Sequence, residues 1–229
     1  RNLIKKEEIY NKYIDMINYI KNRYSTKDVK TNSELFQLRK EIIERNLLME
    51  NTIKNMFFIN LVKSALKVKE FEWIFGFINK YRSLLIPKYR EITYNLSLAL
   101  YYFEKGEYGQ SLSFASQVKY EDNFYNLQAK NLTLRIFYET QHYEDLLSSI
   151  SSYRMYLSKN RTLKKEELGS HSLFLNYLVK LLRIREQNKY HKLNDLICEM
   201  SENNFTNNLW LIEKANALLR KSKSPTSKY

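Results

Sequence analysis

Residues 95–112 read NLSLALYYFEKGEYGQSL, and this stretch decides the fold class of the chain. Apolar residues recur at three- and four-residue steps through its first half, which is the spacing of one helix face. Gly106 stands where that helical pattern stops, a common residue at helix ends, and a second helical stretch follows directly. The small residues Ala99 and Ser111 would let the two helices approach closely. The stretch therefore predicts two antiparallel helices joined by a tight turn.

The same pattern recurs before and after this stretch. An aromatic residue follows the turn at Phe71, Tyr108 and Tyr143, so the spacings are 37 and 35 residues. A fourth, degenerate copy is expected to turn at residues 188–190, after a longer loop around 158–165. Each helix pair leaves an apolar face that the next pair covers. We therefore predict an all-α, right-handed α-solenoid of antiparallel helix pairs, with about eleven helices.

Residues 95–112 also resemble the tetratricopeptide repeat superfamily. They have the small-residue position, the aromatic position and the Gly-acidic-Tyr turn of that family. They depart from it at Ser111 and Ala115, where the family more often has Ala and then an aromatic residue. The wider region 51–186 resembles the C-terminal part of long, uncharacterised bacterial repeat proteins. This resemblance implies a helical-repeat fold and a bacterial protein, and it brings no known activity with it.

The organisation along the chain predicts four regions: an N-terminal helix pair continuing an upstream helical region, three repeats, a degenerate repeat with capping helices, and a loose basic tail. In chain order these regions are 1–50, 51–157, 158–221 and 222–229. Within the first region, Thr31 and Glu34 have the spacing of a capping box. They predict that the second helix begins at Thr31 and runs to about residue 50.

Composition excludes several other classes of protein. Only 4 Gly and 2 Pro are too few for the turns of an all-β fold, and 44% hydrophobic residues are too many for a disordered chain. No run of about 18 apolar residues exists, so we expect no membrane insertion. Cys198 is the single cysteine, which excludes an internal disulfide and fits a reducing compartment. Since the chain begins at Arg1 without Met, we expect a fragment of a longer, cytoplasmic bacterial protein.

Histidine and carboxylate residues show no pattern of a catalytic or metal site. His142, His171 and His191 are the only histidines, and none has a His or Cys at metal-ligand spacing. The neighbouring Glu166 and Glu167 point in different directions on a helix, near its start, where negative charge is stabilising. The sequence has no Gly-rich phosphate loop and no HExxH motif. We therefore expect no enzymatic activity, no cofactor and no bound metal.

The first helices of the three repeats are expected to line the concave surface of the solenoid. Aligning the repeats places a mixed strip of polar, aromatic and basic side chains there, which suits an extended peptide or a partner helix. The alternative is that Leu100, Phe103 and Tyr138 pack inside the fold. Glu104 and Glu139 stand where a cation would be needed to hold a C-terminal carboxylate, so no such clamp is expected. The candidate groove residues are Asn60, Lys63, Lys67, Leu100, Phe103, Arg135 and Tyr138.

The charge of the chain leaves two functions open. The first is a scaffold that binds a protein or peptide partner, and the alternative is a helical repeat that binds nucleic acid. The formal net charge is +13, and residues 158–229 carry +7 of it. Phosphate contacts would use that region, including Lys221 and Lys223, and bases would stack on exposed tyrosines. The chain has 26 Lys but 12 Arg, which argues against nucleic-acid binding because Arg binds phosphate better. The same ratio also fits a bias in codon usage. No oligomeric state is predicted.

Overall fold

Helices make up nearly all of the described chain. The computed structural model describes residues 2–24, 28–48, 52–118 and 123–223. An all-α fold with about eleven helices is confirmed for these residues. The helices, labelled α1 to α11, are Asn2–Arg23, Val29–Glu44, Asn55–Lys67, Phe71–Tyr81, Arg90–Glu104, Tyr108–Ser116, Asn123–Glu139, Tyr143–Lys159, Lys165–Glu186, Leu193–Glu202 and Asn208–Lys223.

The described residues contain no β-strand. A single isolated parallel bridge pairs Ile53 with Leu85, and it holds the segment before α3 against the residues that follow α4. Both side chains of the bridge are buried, so the pairing is part of the core. Pro87 opens a short 3-10 turn that leads into α5. Proline suits this position because its ring fixes φ near the helical value and it has no N–H to satisfy.

The start of α2 differs from the prediction. The helix begins at Val29, before Thr31, and ends at Glu44, well before residue 50. Asp28 is the N-cap, because its carboxylate accepts a hydrogen bond from the Thr31 N–H at 3.3 Å. Hydrogen bonds from the backbone of Thr31 and Lys30 hold the pKa of Asp28 below its usual range. Asp and Thr are both favourable N-cap residues, so the Thr-x-x-Glu spacing alone predicted the wrong N-cap.

The repeat predicted from the sequence recurs as one backbone turn. At the end of α5, Gly106 has a φ of 80°, and two backbone hydrogen bonds of 2.9 and 3.0 Å close the helix. These two bonds with a left-handed residue form the Schellman motif. The same bonds and a positive φ occur at Lys69, Gln141 and Asn188, which are the turns of the other three predicted copies. A fifth such turn, at Asn46 after α2, was not predicted.

The chain divides into two compact units, the first ending at His142 and the second beginning at Tyr143. The division lies in the turn between α7 and α8, inside the region 51–157 that the sequence assigns to three repeats. Residues 224–229 of the predicted tail lie outside the described residues, and α11 extends to Lys223.

In the first unit, the first helices of successive pairs pack side by side. α3 packs against α5 and α5 against α7, while α4 and α6 pack on α5 from the other helix layer. Ser111 on α6 and Ala99 on α5 are fully buried, and the Ser111 hydroxyl donates to the Ala99 carbonyl at 2.7 Å. A side chain can reach a neighbouring helix backbone at this distance only when the helices are close. The role predicted for these two small residues is confirmed.

The second unit is built around α9. This helix packs against α8, α10 and α11. In its core the Phe174 and Trp210 rings meet edge to face, with their centres 6.3 Å apart. Asn208 at the start of α11 donates from Nδ2 to the Met200 carbonyl at 2.6 Å, which satisfies a carbonyl near the end of α10. The unit is thus held by both apolar packing and helix-end hydrogen bonds.

Candidate partner-binding surface

One face of the first unit carries the predicted groove residues on three neighbouring helices, and we call it the α3–α5–α7 face. The buried hydroxyl of Tyr125 connects these helices through hydrogen bonds. Tyr125 Oη on α7 accepts from Asn55 Nδ2 on α3 at 2.8 Å and lies 2.7 Å from Thr93 Oγ1 on α5. The Tyr125 and Thr93 side chains are fully buried. The predicted residues are Asn60, Lys63 and Lys67 on α3, Leu100 and Phe103 on α5, and Arg135 and Tyr138 on α7.

Arg135 joins α7 to α5. Its guanidinium carbon lies 4.1 Å from the centre of the Phe103 ring, and its Nη2 lies 3.4 Å from Glu104 Oε1. The Arg135 side chain is 16% exposed, so both contacts are partly shielded from water and are stronger than at an open surface. Arg135 therefore contributes to helix packing as well as to the charge of the face.

Lys63 is a half-buried cation among like charges. Its Nζ donates to Gln128 Oε1 on α7 at 2.7 Å and lies 5.7 Å from the centre of the Phe124 ring. Burial, followed by the positive charges of Lys67 and Arg135, lowers the pKa of Lys63 to about 8. Sequence analysis missed Gln128 and Phe124, because they lie on a helix far along the chain and no local spacing connects them to Lys63.

Lys67 is the exposed cation of this group. Partial burial lowers its pKa, and the negative charge of Glu104 raises it. Glu104 on α5 thus interacts with both Lys67 and Arg135. Lys63 instead donates its hydrogen bond to the neutral amide of Gln128. The three cations outnumber the carboxylates of Glu104 and of Glu139, which follows Arg135 by one turn on α7, so this part of the face is positive.

The apolar residues predicted for the groove lie mostly inside the unit. Phe103 is 6% exposed and Tyr138 is 9% exposed. Leu100 is half-buried and packs against three core clusters formed by described residues of the first unit. These residues therefore pack inside the fold, which was the alternative to lining a groove. They offer too little surface to anchor a partner. What the α3–α5–α7 face presents to solvent is polar and basic.

Two of the histidines weighed as candidate ligands, His142 and His171, have ordinary hydrogen-bond partners. His171 is buried with its Nδ1 2.9 Å from the Tyr153 hydroxyl, and burial lowers its pKa while Glu167 opposes the shift. His142 Nδ1 lies 2.7 Å from the Thr140 hydroxyl in the turn after α7. Across the described ranges, no group of three or more His, Cys, Asp or Glu side chains is placed to hold a metal ion.

Comparisons of the chain with protein-family models, with curated proteins and with solved structures found no match. The resemblance to the tetratricopeptide superfamily therefore stays a prediction based on residues 95–112 and on the repeated turn. No helix in the part of the chain that the structure describes is both long enough and apolar enough to cross a membrane.

Proposed function

We propose that the chain is a non-catalytic helical-repeat scaffold whose pairs form a right-handed, tetratricopeptide-like α-solenoid. Four Schellman turns at the predicted repeat positions support this, as does the close contact of Ser111 with Ala99. Side-by-side packing of α3, α5 and α7 is what stacked repeats produce, since each repeat contacts its neighbours. A bacterial cytoplasmic location belongs to this proposal and agrees with the single Cys198.

The proposed work of the scaffold is to bind an acidic segment of a partner protein on the α3–α5–α7 face. The observation that carries this proposal is the grouping of Lys63, Lys67 and Arg135 against the carboxylate of Glu104. Their mutual repulsion helps to lower the pKa of Lys63. A carboxylate supplied by a partner would relieve that repulsion, so charge complementarity favours the complex and speeds its formation.

An extended segment with acidic side chains suits this face better than a free C-terminus. Glu104 already contacts Arg135 and interacts with Lys67, so it would repel a terminal carboxylate held beside it. Acidic side chains along an extended segment can instead approach the cations on α3 and α7 from different positions. The absence of a carboxylate clamp thus remains part of the proposal.

Peptide selection tests the proposed function. A random-peptide library selected on the immobilised protein should enrich sequences rich in Asp and Glu. The Kd of a selected peptide, measured by fluorescence anisotropy, should rise at least about tenfold with Lys67→Glu. The reason is that reversal replaces an attraction of up to about 1 kcal/mol by a repulsion. Because Lys67 is exposed, the change should leave the fold intact.

Lys80→Glu is the matched control for this measurement. Lys80 is an exposed lysine on α4, outside the α3–α5–α7 face. Its reversal changes the net charge by the same amount and should leave the Kd within about twofold of the wild-type value, because distant exposed charges are screened by salt. Enrichment of peptides without acidic residues, or an equal loss in both variants, would contradict the proposal.

A further inference from the structure

Several cations of the C-terminal region lie around the end of α9 in the second unit. Two cavities of about 680 and 470 Å³ lie along the end of α9, the turn that follows and the start of α10. Arg183 lines both cavities. Arg185 and Tyr143 also line the larger one, and Lys189 and Lys192 line the smaller one. We call this region the α9 basic site.

Cations exceed carboxylates in the α9 basic site. Lys180 is neutralised by Glu199, because its Nζ lies 2.8 and 3.0 Å from the two carboxylate oxygens. Within the described part of the second unit, the other cations of the site form no ion pair with a carboxylate. These cations are Arg183, Arg185, Lys189 and Lys192, and the carboxylates that remain are Glu186 and Asp195. The site is therefore positively charged and open to an anion.

Favourable interaction with the dipole of α9 explains the position of only some of these cations. Arg183 and Arg185 lie in the last turn of α9, where cations interact favourably with the helix dipole. Lys189 and Lys192 lie beyond the end of α9, after the turn at Asn188. The dipole effect falls off within one turn, so it does not explain why these two lysines share a cavity with Arg183.

Aromatic side chains accompany the cations in the larger cavity. The Arg185 guanidinium carbon lies over the Tyr143 ring, 4.0 Å from its centre, which is a cation–π contact. The guanidinium can still donate hydrogen bonds to a phosphate, because it carries several N–H donors. Tyr190 lines the same cavity, half-buried, and its hydroxyl donates to Asn188 Oδ1 at 3.0 Å. A tyrosine fixed by a hydrogen bond can stack against a base while neighbouring arginines bind its phosphate.

We propose that the α9 basic site binds single-stranded nucleic acid. The phosphates would contact Arg183, Arg185 and the two lysines beyond α9, and a base would stack against Tyr190. A tyrosine ring grouped with arginines and lysines favours nucleic acid over a protein partner, because the ring can stack on a base while the cations contact phosphates. A single strand fits better than a duplex, since stacking on a side chain requires unpaired bases. The site belongs to the second unit and does not depend on the α3–α5–α7 face.

Binding of a labelled oligonucleotide tests this inference. The probe is a fluorescein-labelled oligouridylate of about 15 nucleotides, followed by anisotropy between about 50 and 200 mM salt. Arg183→Gln with Arg185→Gln should raise the Kd at least about tenfold. The same pair should reduce the slope of log K against log salt by about 1.4, because each single-strand phosphate contact contributes about 0.7. Tyr190→Ala should raise the Kd at least about fivefold through lost stacking.

The control removes the same charge elsewhere in the second unit. Lys159→Gln with Arg161→Gln changes two exposed cations at the junction of α8 and α9, far along both helices from the site. The Kd of this control should stay within about twofold of the wild-type value. Circular dichroism and thermal melting establish that each variant is folded before its Kd is compared.

Three results would overturn the proposal. One is no binding of the oligouridylate at about 50 mM salt, where phosphate contacts are strongest. Another is an equal loss in the control pair, which would mean that only total charge matters. The third is a labelled polyglutamate of similar length binding as tightly and responding to the same variants, which would assign the site to an acidic protein segment. These oligonucleotide measurements do not use the selected peptides, so a failure of the peptide selection would leave their results unchanged.

Discussion

At the scale of single residues, the helix-ending turns have an unusual composition. All of them require a positive φ, yet Gly106 is the glycine among the five turns described, and residues such as Lys69 occupy the others. A side chain in the left-handed region crowds the backbone, which costs about 1–2 kcal/mol. A Cβ placed at Gly106 would meet no other atom within 4 Å, so the cost of a side chain there comes from the backbone alone.

Glycine exchanges should therefore shift stability in opposite directions. Lys69→Gly should raise the free energy of unfolding by about 0.5–1 kcal/mol, and Gly106→Ala should lower it by about 1 kcal/mol. Gly109→Ala is the control, because this position lies in α6 with an ordinary φ and open space, and it should stabilise by up to about 1 kcal/mol. Urea unfolding measures all three. A loss of stability in Lys69→Gly would show that this turn does not carry the expected backbone cost.

The lowered pKa of Lys63 gives stability a dependence on pH. Folding lowers this pKa from 10.5 to about 8, so between those values the unfolded chain binds more protons than the native protein. Stability must then rise as pH increases from about 8 to about 10.5, and below about pH 8 the native state bears the full cost of the buried charge. At about 1.4 kcal/mol per pKa unit, the upper limit of this cost is about 3.5 kcal/mol.

Removing the charge of Lys63 should remove this dependence. We expect Lys63→Met to raise the free energy of unfolding by at least about 1 kcal/mol at about pH 7, and the gain should shrink towards about pH 10. Urea unfolding of wild type and variant at both pH values measures the difference. Lys80→Met, at an exposed position on α4, should show no such change. Equal destabilisation of Lys63→Met at both pH values would mean that the hydrogen bond to Gln128 outweighs the buried charge.

At the scale of elements, the helices were predictable because each carries an apolar stripe with helical spacing, and the repeated turns followed from aligning the pairs. Contacts between distant helices were not predictable. Asn55 and Tyr125 are 70 residues apart, and nothing in the local pattern separates Tyr125 from an ordinary core aromatic. Phe103 and Tyr138 occupy the positions that the repeat register assigns to the groove, but both are buried, and residues of α6 and α7 pack against Phe103. Burial depends on how closely those helices pack, which spacing alone does not give.

The hydrogen bonds of Tyr125 should be measurable as a coupling between α5 and α7. Tyr125→Phe should cost about 1–3 kcal/mol, because it leaves the fully buried Thr93 hydroxyl without this partner. Combining it with Thr93→Val removes both hydroxyls and should recover the part of the loss that comes from Thr93, while the Asn55 amide still lacks this acceptor. A double-mutant cycle by urea unfolding gives the coupling. Strictly additive losses would contradict a shared buried network between the two helices.

At the scale of the whole molecule, the charge is unevenly distributed. Residues 51–118 carry +4 and residues 158–229 carry +7, while 119–157 carry −1. One proposed binding surface lies in each compact unit, and most of their cations come from the two basic regions, with Arg135 on α7 as the exception. Both should weaken as salt rises, because long-range attraction between exposed charges is screened within about 10 Å at 0.1 M salt. The charge of both surfaces thus favours anionic partners, and the proposals differ in the local geometry of each surface.

The central claim is that α3, α5 and α7 form one surface for an acidic partner. Photo-crosslinking tests it most directly, using a selected acidic peptide with benzoylphenylalanine at successive positions and locating the cross-linked residues by mass spectrometry. We predict cross-links on all three helices, close to Lys67 and Arg135, with different peptide positions reaching different helices. Cross-links confined to α4 and α6, or to the second unit, would contradict the claim.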